Sequence, residues 1–138
     1  MLLLCNINIW ALLVSTVASL IIVTIWYSDY VLGKEWRKYM GNLFTTKPDT
    51  KDMIKMFIGQ FILTLITNFV LARILFYTDT ITWTRGLTVA FFVWVGFIAA
   101  IEGGAIIWEK KPWKLVAINA GAYLVAFIVS GIIIAVWR

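Results

Sequence analysis

Four long apolar runs, joined by connections too short to hold a domain of their own, decide what this chain can fold into. They lie at about 7–27, 53–77, 82–108 and 113–137. A helix needs roughly 20 apolar residues to cross the ~30 Å hydrocarbon core of a bilayer, and every run has that length. Only 14% of the residues are charged, against about 25% in average soluble domains, so an ordinary soluble fold is excluded. The expected fold is an all-α integral membrane protein: a single domain, 1–138, of four transmembrane helices. Short connections make sequential helices antiparallel neighbours.

The longest connection, 28–52, holds the one segment that reads as a surface helix. In WYSDYVLGKEWRKYMGNLF, positions 26–44, Lys34, Arg37 and Lys38 fall on one side and Trp36, Tyr39, Met40 and Leu43 on the other. That spacing predicts a short amphipathic helix lying in the headgroup layer between the first and second spans, touching lipid headgroups through Lys34, Arg37, Lys38 and Trp36. After it, Thr46-Lys-Pro-Asp49 reads as a helix start, with Thr46 as N-cap, Pro48 in the first turn and Asp49 as the capping carboxylate. The second helix then continues to Tyr77, about 30 residues or ~45 Å, so its first turns project from the membrane.

The distribution of Lys and Arg sets the orientation. Lys34, Arg37, Lys38, Lys47 and Lys51 lie in the first connection, and Lys110, Lys111 and Lys114 lie at the third. The opposite side has Arg85 and Arg138, with Arg73 able to snorkel toward it. Positive charge stays in the cytoplasm, which places both termini outside the cell membrane. The net charge of +5 therefore points to anionic headgroups on the cytoplasmic side as partner, and not to nucleic acid. The N-terminal MLLLCNINIW has no basic region and no small-residue cleavage pattern after it. It reads as the start of a retained helix.

Small residues recur at intervals of four. Gly96, Ala100 and Gly104 form such a strip on span three, and Ala122, Ala126 and Ser130 form one on span four. Strips of this kind let helix backbones approach closely. With more than one of them on so small a bundle, some are expected to meet other chains.

Chemistry is sparse. There is no His and a single Cys, Cys5, so the commonest general base, the commonest transition-metal ligand and any internal disulfide are missing. No catalytic constellation, cofactor motif or metal site can be assembled, and enzymatic activity is not expected. Two ionisable groups lie within the spans. Arg73, four residues from Tyr77, can reach the headgroups; Glu102 lies ~9 Å inside the boundary marked by Trp108 and must be neutral, paired or hydrated. Counting in from each boundary brings Asn119, Gln60 and Ser19 to the depth of Glu102. This polar layer is either a hydrogen-bonded clasp that fixes helix register or a proton- or cation-binding site reached from the cytoplasm.

Two stretches carry a family resemblance. Trp26, Tyr27, Gly33, Lys34, Trp36, Met40 and Gly41 make an aromatic pair, a Gly-Lys-x-Trp and a Met-Gly, and 108–137 has an acidic-basic-Pro turn, a small-residue-rich helix and a closing Trp. In both the chain resembles the membrane protein family known as domain of unknown function 1761. The resemblance implies a four-span prokaryotic membrane protein and brings no catalytic residues. The function expected is that of a homo-oligomer or a small structural or accessory subunit of a larger membrane complex. The alternative is a small proton- or cation-coupled transporter or channel using Glu102.

Overall fold

A computed structural model describes residues 7–41 and 48–137. Among these, all regular structure is helical: α1 (Ile9–Trp26), α2 (Gly33–Met40), α3 (Thr50–Tyr77), α4 (Trp83–Trp94), a π-helical segment (Val95–Ala99), α5 (Ala100–Trp108) and α6 (Trp113–Val136). Four helices, with Trp83–Trp108 counted as one, are long and apolar enough to cross a membrane.

Each helix start has a local cause. Asn8 caps α1, its Oδ1 accepting from the amides of Trp10 at 3.0 Å and Ala11 at 3.3 Å. For α3 the expected start shifts: Asp49 is itself the N-cap, accepting from the Thr50 amide at 2.7 Å, and Pro48 precedes the helix. The expected cap Thr46 lies outside the described residues, as do Leu43 and Cys5. Thr82 caps α4 through the Arg85 amide. Helix α2 ends at Gly41, whose φ of 61° and ψ of −140° belong to a region that is essentially glycine's alone. The Met-Gly of the aromatic-basic stretch is thus a helix stop.

Span three is not one α-helix. Its middle, Val95–Ala99, widens to π-helix, and such bulges rotate everything that follows relative to a straight continuation.

Helix α6 is the centre of the bundle, packing on α4, α1 and α3. Its two faces use small residues differently. On the α4 side, a Cβ added at Gly131 would stand 2.6 Å from the Ala90 Cβ and 2.7 Å from the Gly86 carbonyl oxygen, so the backbones cross in near contact. On the α1 side Ala122, Ala126 and Ser130 are buried, and the Ser130 hydroxyl lies 2.8 Å from that of Ser19. Two tryptophans bind α6 from outside. The Trp26 indole lies across Gly121 and donates to the Ile118 carbonyl at 3.0 Å, and Trp94 donates to the Ala120 carbonyl at 2.9 Å. Helix carbonyls can accept a second donor where neighbouring side chains are small enough to let it in. Beyond them Leu71, Leu75, Ala90, Phe127 and Ile134 close an apolar core.

A candidate ligand cavity beneath α2

Beside α2, the helices part around a cavity of about 650 Å³. It forms because α3 and α5 stand apart while α1 and α6 stay packed together. Helical periodicity supplies its walls. Phe57 and Gln60 are one turn apart on α3, and Leu115, Asn119 and Tyr123 recur every fourth residue on α6. Tyr27, the C-cap of α1, forms one edge. Helix α2 is folded back over the opening, so that Trp36 meets Tyr27 edge-on with ring centroids 5.3 Å apart. Trp36 and Met40 face the cavity, while Lys34, Arg37 and Lys38 are exposed.

Glu102 enters the cavity from α5. Among the described residues its carboxylate makes no hydrogen bond and no ion pair. The other polar groups are partly committed. Tyr27 donates its hydroxyl hydrogen to Asn119 Oδ1 at 2.8 Å, which leaves the Asn119 amide hydrogens for the cavity. Gln60 Nε2 donates to the Thr64 hydroxyl at 3.2 Å. Lys111, at the mouth, holds Glu109 at 2.7 Å. That hydrogen bond and the charge behind it raise the lysine's pKa, with Glu102 adding to the shift. The lysine therefore remains a cation already matched by its own acid.

Of the four residues placed at one depth, Glu102, Gln60 and Asn119 line this one cavity. Ser19 does not. It borders a smaller cavity of about 130 Å³, where its hydroxyl is engaged by Ser130 and, one turn away, Asn68 Nδ2 donates to Thr16 at 3.4 Å. Two further lining residues, Tyr27 and Tyr123, are not among the polar layer that depth counting selects; the signal for Tyr123 is its position four residues after Asn119. Arg73 keeps to its own helix, donating to the Tyr77 hydroxyl at 2.6 Å with its guanidinium 4.7 Å from that ring's centre.

The strip on span three lies differently from the one on span four. Gly96 falls in the π-helical segment, Gly96 and Ala100 are exposed, and neither at Gly96 nor at Gly104 would an added Cβ find, beyond its own helical backbone, an atom of the described residues within 4 Å. Close approach within the chain occurs instead one helical stretch earlier, at Gly86 and Ala90.

Four spanning-length helices around a side cavity define a small multi-pass helical membrane protein. The chain belongs to the family described as protein of unknown function DUF1761, whose family model matches residues 10–135. No curated protein and no solved structure matches it.

Proposed function

We propose that the protein acts by association, as a homo-oligomer or as a small accessory subunit of a larger membrane complex, and catalyses no reaction. The observation that carries this reading is the open strip Gly96, Ala100, Gly104. Small residues on a spanning helix give up side-chain packing, and that loss is recovered when a second backbone approaches. On α6 and α4 the chain supplies that backbone itself; at Gly96 and Gly104 the described residues supply none. Replacing Gly96 and Gly104 together by Leu should convert an assembly into single chains, read as mass by native mass spectrometry from mild detergent. An unchanged mass for the double variant sinks the reading.

In the orientation we propose, the helices run antiparallel, α2 lies in the headgroup layer of the cell membrane's cytoplasmic face, and both termini are outside. Lys34, Arg37 and Lys38 support it, each contributing on the order of 1 kcal/mol near an anionic surface. A phosphatase that works only outside the cytoplasm should be active when fused after Arg138, and green fluorescent protein at the same place should be dark. The reverse pattern would invert the topology.

A further inference from the structure

We infer that the cavity beneath α2 is a binding site for an organic monocation with an apolar body, held by ion pairing to Glu102. Three properties of the site select that chemistry. The first is charge. Among the described residues the Glu102 carboxylate makes no hydrogen bond and no ion pair, and the one cation whose charge it feels, Lys111, is bonded to Glu109. A carboxylate within a spanning helix gains from a counterion. An entering cation thus gains an ion pair, whereas an entering anion would have to displace one.

The second property is the wall. Tyr27, Trp36, Phe57 and Tyr123 line the space, and aromatic faces attract a cation while also accepting apolar surface. Met40 and Met56 add side chains that adapt to irregular shapes. The third is size. A volume of about 650 Å³ falls in the range of roughly 300–1,000 Å³ typical of sites for small organic molecules. A bare proton needs no such space. A divalent metal favours several oxygen ligands, carboxylates above all, in a close shell; Glu102 is the one carboxylate among the lining residues, and the Asn119 oxygen already accepts from Tyr27.

Entry would be sideways. Since α3 and α5 diverge, the chamber lies between helices rather than at the end of a pore. A molecule already partitioned into the membrane could reach Glu102 without crossing the charged surface of α2. This site is independent of the strip on span three, and its failure would leave association untouched.

The test is equilibrium dialysis of the purified chain in a mild non-ionic detergent. Tetraphenylphosphonium serves as probe, and tetraphenylborate as the anion of the same shape. Saturable, stoichiometric uptake of the cation and none of the anion are expected. Glu102→Gln should weaken cation binding by roughly tenfold or more, the scale of one modest ion pair, and Glu102→Asp should retain most of it. Val23→Phe, which fills the chamber but keeps the carboxylate, should also weaken it and decides the matter should Glu102→Gln fail to fold. Equal binding of both probes, unaltered binding by folded Glu102→Gln or by Val23→Phe, or no saturable uptake would each overturn the assignment.

Discussion

Gly131→Ala should destabilise the bundle by about 3 kcal/mol, at the upper end of what overpacking a core costs, because nothing nearby can move aside cheaply. The added methyl would meet the Ala90 Cβ at 2.6 Å and the Gly86 carbonyl oxygen at 2.7 Å. Neither is the end of a flexible side chain. Relief requires α4 and α6 to separate, which would also loosen Leu71, Leu75 and Ile134 in the core beside them. Gly86→Ala probes the same contact from the other helix, since its methyl would stand 2.6 Å from the Gly131 oxygen. The two losses should therefore combine to less than their sum, as both separate the same pair of helices. Gly103→Ala is the control. Its methyl meets none of the described residues beyond its own helix within 4 Å, so helix propensity alone should make it neutral or stabilising by up to about 1 kcal/mol. Thermal unfolding in mild detergent ranks the variants, and a Gly131→Ala protein melting with the wild type would mean that the helices do not cross this closely.

That contact illustrates what could and could not be read from the residues in order. Apolar length and charge asymmetry locate the spans, because a bilayer fixes both in one dimension. Small residues four apart show that a face is smooth; they do not show what meets it. Gly86 and Ala90 satisfy the same pattern as Gly96, Ala100 and Gly104, yet the first pair crosses α6, whereas a Cβ added at Gly96 or Gly104 would meet no described residue beyond its own helix within 4 Å. What separates them includes the π-helical turn at Val95–Ala99, which turns α5 relative to α4 and has no Pro to announce it. Depth counting has a similar limit. A constant rise of 1.5 Å per residue puts Glu102, Gln60 and Asn119 at one level, since rise is common to all helices. Angle around the axis is set by packing, and it turns Ser19 toward Ser130 instead. The aromatic pair is the clearest case. Trp26 and Tyr27 end the first apolar run, as interfacial aromatics would, but one donates to α6 and the other to Asn119, so packing contacts fall on residues whose place in the sequence suggests only a boundary.

Gly33→Ala should release α2 from the bundle while leaving the four long helices folded. The glycine is buried at the entry to α2, and a methyl there would stand 2.2 Å from the Tyr27 carbonyl oxygen and 2.8 Å from the Ser28 carbonyl. Backbone surrounds it on that side because the chain doubles back within a few residues, with the Leu32 amide donating to the Trp26 carbonyl at 3.1 Å and the Gly33 amide to the Ser28 carbonyl at 2.9 Å. Any side chain forces that turn open, and with it goes the contact that holds Trp36 on Tyr27. The effect should be local, since α2 makes few contacts with the helices below. Hydrogen exchange separates local from global loss. Amides of 31–36 should exchange faster by roughly tenfold or more, about 1.4 kcal/mol of opening free energy, with those of α6 unchanged. Lys34→Ala, at an exposed neighbouring position, should leave both rates alone. If Gly33→Ala exchanges like the wild type, the turn tolerates a side chain and the glycine of Gly-Lys-x-Trp has some other reason. If it opens as expected, the motif has a steric one: only a residue without a side chain lets Trp36 fold back over the chamber that holds Glu102.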